Sequence, residues 1–197
     1  MKDKNLSGRG KSMDNGESSY RRYIDGDDKG LVEIIEMYKD GLTLYINTYV
    51  KNIFVAEELM EETFFKLVTK KPNFSAKSSF KTWLFSIARN TAIDYLRRNK
   101  KISSESVDEY VHFVKEEESV EKEYLIKERK ITLHHAMKKL NPDYFQVLYL
   151  TYFEGFSNDE TAKVMKKSKR QIENLVYRAR NALKKQLEKE GFQYEEL

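Results

Sequence analysis

The 197-residue chain has no cysteine, only two prolines and only eight glycines. Without cysteine there is no disulfide framework and no thiolate metal site; a reducing, cytoplasmic location is expected. Scarce proline leaves room for long uninterrupted helices. No apolar run approaches the roughly 20 residues that cross a bilayer, so no membrane insertion is expected. The first residues carry no apolar core of a secretory signal. The three histidines, His112, His134 and His135, follow no metal-ligand spacing. No glycine-rich phosphate loop is present. Glu57, Glu58, Glu61 and Glu62 stand at helical spacing. A di-metal bundle would add a Glu-x-x-His motif on each of two facing helices, and the chain does not supply two. Those glutamates read as a solvated or partner-facing surface. No catalytic residue, metal or cofactor is expected.

What the chain does have is charge, unevenly placed. Residues 21–102 hold 15 basic and 11 acidic side chains, and residues 128–197 hold 14 and 10. Between them, residues 103–127 hold 3 basic and 8 acidic side chains. Two basic blocks flanking an acidic connector suit a polyanion, because lysine and arginine on phosphates release condensed counterions. On charge alone, two ordinary solvated surfaces explain the blocks as well.

Apolar spacing of helical period runs through Leu31, Ile34, Ile35, Tyr38, Leu42, Tyr45, Ile46 and Val50, with a weak point at Gly41. A second helix is predicted from about Val55 to Lys70, with Leu59, Phe64, Leu67 and Val68 inside and Glu57, Glu58, Glu61 and Glu62 outside, ended by Pro72. Lys71–Ser79 reads as a loop whose Ser79 can cap a third helix, Phe80 to about Arg98. After the acidic stretch a helix from about Val120 to Leu140 is expected. Asn141-Pro142 breaks it and starts another, which Gly155 stops. Ser157 to about Glu190 then reads as two helices joined near Lys166-Lys167-Ser168. No strand alternation is visible. The expected fold is all-α: two small helical domains joined by an acidic linker, the second ending in a helix-turn-helix. The expected limits are a flexible tail 1–19, a first domain 20–101, a linker 102–127, a second domain 128–190 and a tail 191–197.

The strongest local signal is the helix-turn-helix. Ser157 and Glu160 make a capping box, Ala162 is small enough for close helix crossing, and Ser168 can cap the second helix. At about 100° per residue, Ile172, Leu175, Val176, Ala179, Ala182 and Leu183 fall on one side of that helix. Arg170, Glu173, Asn174, Tyr177, Arg178 and Asn181 fall on the other. Arginine, asparagine and glutamate are the side chains that read guanine, adenine and cytosine edges. Lys163, Lys166, Lys167 and Lys169 cluster at the turn, where phosphates would position the unit without specifying sequence.

In the third helix Phe80, Leu84, Ile87 and Ala88 form a core side with Trp83 at its margin. Thr82, Ser86, Arg89, Asn90 and Arg97 share another arc, with Ile93 among them. Phe85 and Leu96 lie away from the first stripe, so the helix is buried between neighbours or offers an apolar contact. Aromatics interleaved with lysine and arginine suit unpaired DNA, whose bases stack on rings; an aromatic stripe is equally an ordinary core. The polar groups of Lys71–Ser79 can close around an extruded base or simply connect two helices.

The order of these motifs resembles a known family. Val55-Ala56-Glu57-Glu58-Leu59-Met60-Glu61-Glu62-Thr63-Phe64-Phe65-Lys66-Leu67, Phe80–Asn90 and Asp94-Tyr95-Leu96-Arg97-Arg98 resemble region two of extracytoplasmic-function sigma factors of bacterial RNA polymerase. The helix-turn-helix, ending in Tyr177-Arg178-Ala179-Arg180-Asn181-Ala182-Leu183, resembles their region four. The likeness spans about residues 20–190. It implies a sigma factor that binds core polymerase, recognises minus-thirty-five and minus-ten promoter elements and promotes melting.

Glu57, Glu58, Leu59, Met60, Glu61 and Phe64 would dock on the clamp helices of the largest (beta-prime) subunit. Asn73, Ser75, Lys77, Ser78, Lys81, Thr82, Ser86, Arg89, Asn90, Arg97 and Arg98 would handle the minus-ten element. Lys166, Lys167, Lys169, Arg170, Glu173, Asn174, Tyr177 and Arg178 would read the minus-thirty-five element. The second domain would also touch the beta-subunit flap, and the acidic linker would mimic nucleic acid along the polymerase. Implied partners are core RNA polymerase, promoter DNA and an anti-sigma factor. A conventional regulator with a sensing or dimerising first domain would keep the helix-turn-helix but give the third helix no DNA role.

Overall fold

A computed structural model of the chain describes residues 16–99, 133 and 135–190. The expected acidic linker 102–127 and tail 191–197 lie outside these residues, as does most of the helix expected over 120–140. Among the described residues there is no strand.

The first half is a bundle of α1 (Glu17–Ile24), α2 (Lys29–Val50), α3 (Ile53–Lys70) and α4 (Phe80–Asn99). α1 was not expected: Glu17–Ser19 belong to it rather than to a tail. Its polar composition hides it, yet Tyr20 and Tyr23 stand three apart and are both buried. α1 crosses close to α2 at Gly30, where a Cβ would stand 2.1 Å from the Ser19 carbonyl oxygen. α2 runs unbroken through Gly41. Lys51 ends it in the left-handed region, with φ 55°. Asn52 starts α3 at once, its side chain accepting from the Val55 N–H at 2.9 Å. Such a short reversal makes α2 and α3 antiparallel neighbours. Ser79 caps α4, accepting from the Thr82 N–H at 3.2 Å.

The second half has helical residues at 135–138, α5 (Pro142–Leu148), a π-helical turn Tyr149–Phe153, α6 (Asn158–Met165) and α7 (Lys169–Lys189). Asn141 caps α5 with Pro142 at its first position, as the breaker dipeptide predicts. Both expected capping boxes form, Ser157 with Glu160 and Ser168 with Gln171. Lys166 closes α6 with a φ of 54°. Ile172 and Ala179 seal α7 against the core, with Leu175, Val176, Ala182 and Leu183 half-buried beside them.

The two halves are packed together. One buried cluster runs from Tyr20 and Ile34 through Tyr45 and Phe85 to Phe156, Val164 and Ile172. The Phe85 ring, fully buried, meets Tyr45 at 5.3 Å and Phe156 edge-on at 5.1 Å. Tyr149 stacks on Tyr45 at 6.3 Å, and its hydroxyl reaches the Gly41 carbonyl oxygen at 3.3 Å. Gly41 is small for this close approach: a Cβ there would stand 2.6 Å from the Glu154 carboxylate. Phe85 therefore lies between neighbours instead of offering an open apolar contact.

Candidate nucleic-acid interface

The outer face of α7 is open. Arg170, Glu173, Asn174, Tyr177, Arg178 and Asn181 are all exposed, Tyr177 by 70%. The Ser168 cap fixes where α7 begins, and so fixes which residues of its first turns face outward. The lysines around the turn are tied in different directions. Lys169 pairs with Asp159 at 2.7 Å and Lys167 with Asp143 at 3.0 Å, while Lys166 is exposed. The Asp159 carboxylate raises the pKa of Lys169, keeping it cationic.

α4 and the loop before it present a different surface. The loop is held by its aromatic residue: Phe74 packs on Phe80 and Trp83 at 5.6 and 5.4 Å. Tyr20 packs on the same two rings at 5.3 Å each and donates its hydroxyl to the Pro72 carbonyl oxygen at 2.6 Å. Burial, with Tyr23 nearby, pushes the Tyr20 pKa up to about 12, so it stays a donor. Around this anchor Asn73, Ser75 and Lys77 are exposed and Ser78 is half-buried. Along α4, Asn90, Arg97 and Arg98 are exposed, and Ser86 and Arg89 are half-buried. Arg98 and Lys66 share the Glu62 carboxylate, at 3.8 and 2.9 Å.

The start of α4 is covered. Thr82, expected on an outward arc, is only 1% exposed. The reason is α6: the Glu160 carboxylate lies 3.0 Å from Ser79 Oγ and 3.3 Å from Thr82 Oγ1, accepting from both. Burial alone would raise the Glu160 pKa, but hydrogen bonds from Ser157, Ser79 and Thr82 bring it below the usual value. Lys81 is engaged as well. Its ammonium pairs with the Glu154 carboxylate at 2.8 Å, donates to the Glu154 carbonyl at 2.7 Å and sits over the Phe156 ring at 5.0 Å. Lys163, one of the lysines near the turn, donates to the Lys77 carbonyl oxygen at 3.2 Å.

On α3, Glu57, Glu58 and Glu61 are exposed and Met60 is half-buried. Leu59 and Phe64 are core residues, 3% and 5% exposed, as their spacing predicts, so the docking role that the resemblance implies for them is corrected; Val68, expected inside, is exposed because it falls on the opposite side of the helix. Leu59 and Phe64 lie on the stripe that faces α2 and α4, together with Ala56, Thr63 and Leu67. The exposed apolar residues are Phe54, Phe65 and Val68, at 61%, 63% and 40%. With Glu58 and Glu61 they follow an i, i+4, i+7, i+11, i+14 pattern on the opposite side. That same periodicity was the available signal for Phe54 and Phe65, which sequence reasoning missed.

Comparison with known proteins decides the family. Sigma-70 region 2 matches residues 34–102, and Sigma-70, region 4 matches residues 130–183. RNA polymerase sigma-H factor of Pseudomonas aeruginosa is 30% identical over 171 residues, covering 83% of this chain and 89% of its own. The chain belongs to the sigma-70 family. ECF RNA polymerase sigma factor SigM of Bacillus subtilis is likewise 30% identical, over 77% of this chain and 91% of its own. This places the sigma factor in the extracytoplasmic-function group. In fold it is similar to the sigma factor RpoE of Bartonella quintana, solved with the anti-sigma factor NepR. That match has a TM-score of 0.65 and 22% identity over 81% of this chain and 98% of the other. As a member of this family the protein recognises promoters and initiates transcription with RNA polymerase, in a family of non-catalytic initiation factors. No described helix is long and apolar enough to cross a membrane.

Proposed function

We propose that this sigma factor divides promoter recognition between two helices. The outer face of α7 enters the major groove of the minus-thirty-five element, with Arg170, Glu173, Asn174, Tyr177 and Arg178 toward base edges. Lys166, Lys167 and Lys169 lie against phosphates. The 71–79 loop captures a base of the minus-ten element, and α4 holds the melted strand with Lys81, Thr82, Ser86, Arg89, Asn90, Arg97 and Arg98. The α3 stripe of Phe54, Glu58, Glu61, Phe65 and Val68, with Glu57 and Met60 beside it, docks on core polymerase. An exposed apolar row edged with carboxylates is a protein-binding surface. The acidic stretch 103–127 runs through a path on the polymerase that otherwise holds nucleic acid. The first domain spans 20–101 and the second 128–190. The chain works in the cytoplasm, performs no catalysis, and is controlled by an anti-sigma factor that engages it away from core.

The single observation that carries this reading is the α7 face. Its polar outer side combines arginine, asparagine and glutamate, all exposed, on a helix fixed by a capping box. Run-off transcription with core polymerase over a promoter library tests it. Transcripts should start downstream of paired minus-thirty-five and minus-ten elements. Arg170→Ala should relax the first element while leaving core binding intact. Loss of core binding in that variant would count against the assigned face.

A further inference from the structure

We infer that α1 is a positioning element for minus-ten recognition: its Tyr20 holds the 71–79 loop in the shape that presents Asn73 and Ser75 to a base. The inference rests on the base-capture reading of that loop given above and adds to it the residue that sets the loop's geometry.

The loop has little of its own to hold it. Among the described residues, no backbone–backbone hydrogen bond joins two residues of the stretch from Pro72 to Ser78. Ala76 sits in the left-handed region at a φ of 54°, a conformation that persists in alanine only where the surroundings impose it. The holds come from outside the loop. The Pro72 carbonyl oxygen accepts from the Tyr20 hydroxyl at 2.6 Å. The Phe74 ring packs on Phe80 and Trp83, and the Tyr20 ring packs on the same pair. Lys71, at the loop's first position, lies over the Tyr23 ring at 5.1 Å. So α1 touches the loop's entry at two successive residues and shares the aromatic seat of a third.

These anchors alternate with the exposed groups. Pro72 and Phe74 are half-buried, whereas Asn73 and Ser75 are exposed. Fixing the main chain at residue 72 and the ring at residue 74 leaves the two polar side chains turned outward. α1 is itself firmly seated. Ser19 Oγ donates to the Glu33 carboxylate of α2 at 2.7 Å, and Arg22 pairs with the same carboxylate. At its start, Gly16 lies so close to Phe80 that a Cβ there would stand 2.9 Å from the ring. A hydroxyl on a fixed helix thus grips a main-chain group 52 positions along the chain. Such a grip pre-organises the loop, and a loop that holds its binding shape only part of the time binds in proportion to that part.

The test uses the full chain with core polymerase. Tyr20→Phe keeps the ring contacts and removes only the hydroxyl. Thr48→Val is the control: it removes another buried hydroxyl, one that donates to the Tyr45 carbonyl oxygen at 2.7 Å, at the opposite end of the α2–α3 pair from the loop. Both are run on a promoter series carrying every single substitution through the two elements, scored by open-complex yield. Tyr20→Phe should lower the preference at one minus-ten position by about 2- to 10-fold, the net effect of one hydrogen bond. Preferences in the minus-thirty-five element and affinity for core should not change. A fluorescent base analogue at that minus-ten position, which brightens on leaving the stack, should brighten more slowly with Tyr20→Phe. Thr48→Val should lower stability in urea yet keep every preference.

Wild-type minus-ten preference in Tyr20→Phe would overturn the inference. So would an equal loss in Thr48→Val, or an equal loss at every promoter position, since either would mark Tyr20 as a stability residue only. Asn73→Ala with Ser75→Ala tests the loop reading separately. Were that variant to keep full minus-ten preference, the reading of the loop would fail and the inference with it. Were it to lose that preference while Tyr20→Phe keeps it, only the positioning role would fail.

Discussion

The two surfaces assigned to DNA differ in how they meet solvent. The α7 face is open along its length, from Arg170 to Asn181. The start of α4 is closed over, with Thr82 and Phe85 out of contact with water and Lys81 held by Glu154. Both surfaces use the same residue types, and both sit at the beginning of a long helix behind a serine cap. The difference comes from neighbours. α7 has the protein on one side only, whereas α4 is packed between α2, α3 and α6. A helix at the edge of a fold shows its outer face to solvent; a helix packed on several sides does not.

The largest expected effect bears on the closed surface. Phe85→Ala should destabilise the chain by about 3–5 kcal/mol, as for other fully buried aromatic truncations, measured by urea denaturation. Unchanged stability would mean that the ring stands free for DNA in solution, which would erase the contrast with α7. Next in size is the open surface. Asn174→Ala should cost about 1–3 kcal/mol of discrimination at one base pair, with no change in the urea midpoint. Competition between matched and single-mismatch promoters in run-off transcription measures it.

A smaller effect concerns the loop before α4. Tyr20→Phe removes the hydroxyl that holds the Pro72 carbonyl oxygen and should cost about 0.5–1.5 kcal/mol, again by urea denaturation. The smallest is a pH effect on the contact of Glu160 with Ser79 and Thr82. Hydrogen bonds hold the Glu160 carboxyl below its ordinary pKa. Its contribution is therefore complete above the ordinary carboxylate value and is lost as pH falls through the lowered one. The stability difference between the wild type and Glu160→Gln, by urea denaturation, should shrink only in that acid range. No difference at neutral pH would show that the Glu160 contacts contribute nothing.

Much of this was legible from residue spacing. The caps Ser79, Asn141, Ser157 and Ser168 announce helix starts that the structure places where expected, because capping is local chemistry within three residues. The α7 face was legible for the same reason: one helix with one buried side obeys a single period. Thr82 and Phe85 were not, because their environment is set by α6 and by Phe156, far along the chain. Leu59 and Phe64 face inward as their spacing predicts, and only the docking role implied by the resemblance misses; Val68, adjacent to buried Leu67, is predicted inside but faces out. Phe65, one residue after Phe64, faces out. α1 was missed because only two of its residues, Tyr20 and Tyr23, carry its packing signal.

The most direct test of the central claim is permanganate footprinting of promoter DNA mixed with core polymerase, with and without this chain. The account predicts reactive thymines in the minus-ten region only when both proteins are present. It further predicts loss of that opening when the 71–79 loop carries Asn73→Ala and Ser75→Ala. Duplex binding by the chain alone, with core neither recruited nor able to open the promoter, would contradict it.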